Sequence, residues 1–282
     1  MDSFVFFSVI AAAAMHAGWN GLVKVALDRL RAMFLLSLCT GTISLCVLPF
    51  FASPAPESWP FLFASGLLHA GYMLFLIKAY EIGDLAQIYP LARGTAPLLS
   101  TLAAWFFAGE NLTLLMLIGI GMVLSGIYVM GVYGNSHSTA RLSGKAVAFA
   151  LITSLFIAGY TITDGLGVRL SQSPSSYTAW VFVLDMVTMT IAIIAWRGRS
   201  AFKNMMPHVP KGFIAGALSL GAYWIALWAM TKAPIGAVAA LRETSILFAL
   251  LISLVFLKEP FTFFRGLAAF LIVLGAAALR FG

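Results

Sequence analysis

Charge is what this chain has least of. Only 10% of its 282 residues are Asp, Glu, Lys or Arg, while 61% are hydrophobic; a soluble globular domain carries about 25% charged residues. A soluble fold of this size has nowhere to hide so much apolar surface. A water-soluble protein is therefore excluded, and an integral membrane protein is indicated. Cysteine is almost absent: Cys39 and Cys46 lie in one apolar run. They stand roughly 10 Å apart on a helix, too far for a disulfide, and both are read as packing residues. The histidines (16, 69, 137 and 208) are scattered without metal-ligand spacing. There is no Walker loop, no H-E-x-x-H and no nucleophile elbow. These absences argue against an ATP-driven pump and a metalloenzyme, and neither a cofactor nor a metal is expected. A lipid-modifying enzyme would need a catalytic cluster at interface depth, which these residues do not assemble. The net charge of +7 sits mainly in short connections, a pattern of membrane orientation rather than of nucleic-acid binding.

What the chain has instead is a succession of apolar runs of about 20 residues, each long enough to span a bilayer. Ten are counted: 4–25, 32–52, 59–80, 85–108, 112–133, 146–170, 176–196, 210–231, 235–257 and 261–281. The first imitates a signal peptide, but it starts with Asp2 rather than a basic segment and its apolar character continues to Val25. It is read as a spanning helix. Turn chemistry in "SPAPES" (53–58), "GEN" (109–111), "SQSPSS" (171–176) and "KEP" (258–260) separates the runs. Twelve Lys and Arg residues fall in the odd-numbered connections, against only Arg169, Lys232 and Arg280 on the other side. The bias places both termini on the periplasmic side of a bacterial inner membrane.

An internal repeat organises these spans. A shift of 149 residues places Arg93 on Arg242, Thr95 on Thr244 and Glu110 on Glu259. It also matches Leu98, Leu102, Phe107, Thr113 and Gly126 with Leu247, Leu251, Phe256, Thr262 and Gly275. Five spans per half is an odd number, so the second half enters the membrane upside down. The expected fold is an all-α integral membrane protein of ten transmembrane helices in two inverted five-helix repeats, 1–135 and 146–282, joined by a linker at 136–145. Inverted repeats are a transporter device, with the substrate near the midplane between the halves.

The polar residues inside the spans are the candidate site. Arg93 and Arg242 each lie about 10 Å into a helix, where a charge costs a few kcal/mol. Two readings stand: snorkelling to the interface, or contact with an anion or carboxylate in a cavity. Glu243 follows Arg242 but points about 100° away on the helix, so these two need not pair, and Asp164 or Glu243 is a candidate to neutralise an arginine from another span. His16, Trp19 and Asn20, continued by Lys24, form a polar and aromatic stripe on the first span. His69 and Tyr72 form a similar face on the third, Tyr160 and Asp164 on the sixth, Tyr177, Trp180 and Asp185 on the seventh, and Tyr223, Trp224 and Trp228 on the eighth. Pro90 and Pro97 flank Arg93 and each frees a backbone carbonyl; they are read as a hinge that makes the fourth span the deformable one. Glu110 and Glu259 are read as caps or gate contacts, with proton coupling the alternative; Asp164 and Glu243 lie deeper and are the better proton-coupling candidates. Small residues (Gly119, Gly121, Ser125, Gly126, and Gly275 to Ala278) suit close helix packing, either between the halves or in a homodimer.

"HAGWNGLVK" (16–24), "FFAGENLT" (106–113) and "FLKEPFT" (256–262), together with the ten spans and the repeat, resemble the EamA-type branch of the drug/metabolite transporter superfamily. "GEN" departs from the commoner Gly-Glu-Pro form. The resemblance covers essentially the whole chain. It implies a secondary carrier with a central cavity between the repeats, often an exporter of amino acids or related metabolites. The expected partners are a small-molecule substrate and the lipid bilayer. An exporter of organic cations or drugs in exchange for protons is the alternative.

Overall fold

The computed structural model describes residues 1–23, 29–82, 85–133, 143–198, 205–256, 258 and 260–282. Lys24, Glu259 and most of the expected linker lie outside the described residues. The regular structure is helical: α1 (Ser3–Val23), α2 (Arg29–Val47), α3 (Trp59–Ile82), α4 (Leu85–Phe107), α5 (Leu114–Tyr133), α6 (Gly144–Leu170), α7 (Pro174–Arg197), α8 (Val209–Met230), α9 (Ile235–Arg242), α10 (Ser245–Phe256) and α11 (Phe263–Phe281). Caps fit the local sequence. The Ser143 hydroxyl accepts from Ala146 N at the start of α6 and Thr262 from Arg265 N at the start of α11. Pro174 opens α7, where its missing N–H costs nothing. Nine segments among the described residues are long and apolar enough to cross a membrane, and α4, with 23 residues, matches them in length. The chain is a multi-pass membrane protein.

Two expectations are corrected here. The ninth run is not one helix but two, α9 and α10, separated at Glu243–Thr244. Between Ala240 and Leu247 the backbone bonds reach three residues back instead of four: Glu243 N to Ala240 O, Thr244 N to Leu241 O, Ile246 N to Glu243 O and Leu247 N to Thr244 O, at 2.9–3.1 Å. The Thr244 hydroxyl donates to Leu241 O at 2.7 Å, whereas its repeat counterpart Thr95 donates four back, to Leu91 O, at 2.8 Å. The interruption therefore lies in 238–246, the copy of Tyr89–Pro97 that lacks prolines, while α4 runs unbroken through Pro90 and Pro97. The second correction concerns the cysteines. Cys39 packs beside Gly212 and Gly216 of α8, but Cys46 is exposed on the bundle surface.

The small-residue run packs helix on helix within the chain. A Cβ on Gly119 of α5 would stand 2.9 Å from Gly275 O of α11, and one on Gly275 would stand 2.6 Å from Gly119 O, so the two backbones touch. Several of the other packings come in pairs. α3 lies on α6 and α1 on α8; α4 lies on α6 and α1 on α9 and α10; α3 lies on α7 and α2 on α8; α2 and α7 meet each other. Both termini share one end of the bundle, where the Met1 ammonium donates to Arg280 O at 3.1 Å. The connections after α2, α4, α6 and α8 gather there too. Ala55 N donates to Ser171 O at 2.9 Å, and Arg169 reaches Glu110, Met230 O and Ala233 O.

Candidate functional site

α1, α4, α6 and α9 meet around a charged centre. Arg93 Nη2 of α4 lies 3.0 Å from Glu243 Oε1 at the end of α9, with both side chains about nine-tenths buried. The same nitrogen lies 3.2 Å from His16 Nε2 of α1. The break after Arg242 is what turns Glu243 towards the first half. Arg242 goes elsewhere: its guanidinium rests over the Tyr223 ring of α8, 5.0 Å from the centroid. Among the described residues no carboxylate lies within ion-pairing distance of Arg242. A narrow space opens between α4 (Arg93, Ala96, Pro97, Ser100), α6 (Ile157, Tyr160, Thr161) and α9 (Ala239, Arg242, Glu243). It admits about one water-sized sphere, so a metabolite enters only after the helices part. The Ser154 hydroxyl of α6 donates to Ala92 O at 2.8 Å and ties α4 to α6 beside Arg93.

A second polar group lies behind Tyr160. Asp164 of α6 is fully buried and accepts from two hydroxyls, Tyr223 at 2.5 Å and Tyr177 at 3.2 Å. Tyr177 reaches it because α6 carries glycine at 167; a Cβ there would come within 2.2 Å of the tyrosine oxygen. His69 of α3 stacks on Tyr160 with centroids 4.0 Å apart, and its Nδ1 lies 3.2 Å from Ser65 Oγ. Tyr72 meets Tyr160 edge to face, with centroids 5.8 Å apart. Tyr223 thus touches both groups, Asp164 through its hydroxyl and Arg242 through its ring.

The remaining candidates are dispersed. Asn20 turns back to His16 O on its own helix at 2.8 Å. Trp19 stands 5.0 Å edge-on to His16, but its ring packs with Leu36 and Ala215, and its indole nitrogen has no partner among the described residues. Trp180, Trp224 and Trp228 contact Trp59, Phe51 and Phe4 respectively rather than the arginines, and Trp224 donates to Ser175 Oγ at 3.2 Å.

The turn after α4 holds a contact that the sequence did not pair. Glu110 Oε1 lies 2.6 Å from Arg169 Nη2 and accepts from Ile235 N, the first residue of α9, at 2.9 Å. Arg169 was read only as a loop charge. Its place at the end of α6, one α-helix length from the linker, is the signal that it faces the same bundle end as Glu110.

A family model described as the EamA-like transporter family matches this chain twice, over residues 3–132 and 144–281. Among solved structures, one described only as "Crystal structure of protein" is similar over 98% of this chain and 95% of its own, with 17% identity and a TM-score of 0.75. That likeness shows a shared fold. No curated protein matches.

Proposed function

Because the chain belongs to the EamA-like transporter family, part of the drug/metabolite transporter superfamily, we propose that it is a secondary transporter exporting amino acids or related small amphipathic metabolites across the bacterial inner membrane. The observation that carries this reading is the arrangement of charges at the centre: one arginine held by Glu243, and a second that rests on the Tyr223 ring with no carboxylate in ion-pairing distance among the described residues. The substrate carboxylate meets Arg242, where a guanidinium offers two parallel N–H donors. The ammonium group takes Glu243 in exchange for Arg93, so the buried charges stay compensated. Organic cations, the second reading, would meet two guanidiniums at the same place, which favours the first reading.

Alternating access follows from an inverted repeat of 1–135 and 146–282. Three features support that repeat: the paired helix contacts, the gathering of alternate connections at the terminal end, and a matched turn. Gly109 and Lys258 stand 149 residues apart and both take a left-handed backbone, φ 62° and 54°, just before Glu110 and Glu259. The Lys and Arg bias puts the terminal end on the periplasmic side. The test is purified protein in liposomes with a mixture of radiolabelled amino acids. The expected results are uptake by counterflow, a loss of at least tenfold in Arg242→Ala, and an unchanged elution profile in detergent. Equal transport in Arg93→Ala, Arg242→Ala and Glu243→Gln overturns the site. Movement of a quaternary ammonium dye with no amino-acid movement overturns the substrate class.

A further inference from the structure

Three carboxylates lie inside this bundle near the cavity or its rim, and they are held by different chemistry. Glu243 is held by a guanidinium, and Glu110 by a guanidinium and a backbone N–H. Those partners only donate. Asp164 is fully buried, has no cation within 4 Å among the described residues, and is held by hydroxyls alone. A hydroxyl donates or accepts with equal ease. The site is therefore satisfied with the carboxylate ionised or protonated, and it needs no rearrangement of backbone to change between them.

We propose that Asp164 is a proton-binding site coupled to the substrate cavity through Tyr223. This rests on the transporter reading above and supplies its coupling ion. When a proton adds to Oδ2, the 2.5 Å bond reverses: the carboxyl O–H donates to the Tyr223 oxygen, and the tyrosine's own hydrogen turns off the carboxyl. The same ring carries Arg242 at 5.0 Å. A phenol that donates to an anion has a more electron-rich face than one that accepts from an acid, so its hold on the guanidinium depends on the proton. One residue thereby links the proton to the arginine that meets the substrate, a coupling between two sites in the thermodynamic sense.

The groups facing Asp164 are Ser65 and His69 from α3, Tyr177 from α7 and Tyr223 from α8. Arg93, Arg242 and Glu243 stand beyond Tyr160. Asp185 of α7, which accepts from Ser37 at 2.5 Å, is the other carboxyl that His69 acts on. Asp164 also sits six residues before the end of α6, roughly 9 Å from it, between the cavity and the terminal end.

Two measurements test the assignment. The first needs no substrate: infrared difference spectra of the purified protein between alkaline and acidic buffer. The protonated-carboxyl band is expected in the wild type, in Asp185→Asn and in His69→Gln, and is expected to vanish in Asp164→Asn. Tyr223→Phe, which keeps the ring and removes the hydroxyl, is expected to displace the midpoint. A band that survives Asp164→Asn, or that only His69→Gln removes, overturns the site. The second uses proteoliposomes with the radiolabelled amino-acid mixture and an imposed pH gradient. Asp164→Asn is expected to keep exchange of labelled for unlabelled amino acid and to lose the response to the gradient. A gradient response retained in Asp164→Asn overturns the coupling. If the wild type moves no amino acid at all, the transporter reading fails while the infrared result stands by itself.

Discussion

At the scale of single residues, Arg93 and Glu243 show how a buried charge pair joins two halves of a chain. They lie 150 positions apart in sequence and 3.0 Å apart in space. Removing one partner of such a pair strands the other and costs about 3–5 kcal/mol, whereas replacing both by apolar residues is often neutral. Glu243→Leu is thus expected to lower the thermal midpoint in detergent strongly, and Arg93→Met with Glu243→Leu to recover most of the loss. Additive effects in the double variant would sink the idea that the pair acts as a unit. Both residues stood out in the sequence because charge is so rare in apolar runs. Their pairing was open to two carboxylates, Asp164 or Glu243, since nothing in the spacing tells which face of which helix meets Arg93. The same holds for Tyr177 and Asp164. Both were visible as polar residues in apolar runs, but their bond depends on the missing side chain at Gly167.

At the scale of elements, the turn after α4 explains how a helix end can present a functional side chain. Glu110 N reaches back six residues to Ala104 O at 3.2 Å, closing the helix with Gly109 in the left-handed region at φ 62°. That geometry aims Glu110 at Arg169 and at the start of α9. The second half builds a turn of the same sign with Lys258 at φ 54°, which costs a residue with a side chain about 1–2 kcal/mol. Gly109→Ala is expected to destabilise the protein by about 1 kcal/mol, and Lys258→Gly to stabilise it by up to the same amount. Thermal unfolding of the two variants checks this; equal effects of one sign would contradict it. The order of apolar spans was legible from apolar length, and the ninth run, 235–256, is long and apolar enough to cross a membrane, but its internal break was not legible. "YPLARGTAP" carries the breakers, yet it stays helical. "VAALRETSI" carries none and is interrupted, because the threonine hydroxyl and the pull of Arg93 on Glu243 favour a tighter turn. Neither influence is written in local propensity.

At the scale of the whole molecule, the α5–α11 seam is the part least able to change. Backbone meets backbone at Gly119 and Gly275, while Gly121, two residues from Gly119, has nothing within 4 Å of an added Cβ. Gly119→Leu and Gly275→Leu are each expected to abolish the monodisperse folded species, and Gly121→Leu to leave it intact; size-exclusion profiles of the three variants decide. On the proposed mechanism the helices part across α4, α6 and α9, where the Arg93–Glu243 ion pair and the Ser154–Ala92 bond join them. The interruption at Glu243–Thr244 then carries a consequence for energetics. A carrier with interchangeable halves would be degenerate, resting equally in either posture. In this chain one half holds a dislocation and the other does not. On the proposed alternating access, exchange between the two states amounts to moving that dislocation from α9–α10 into α4 and back.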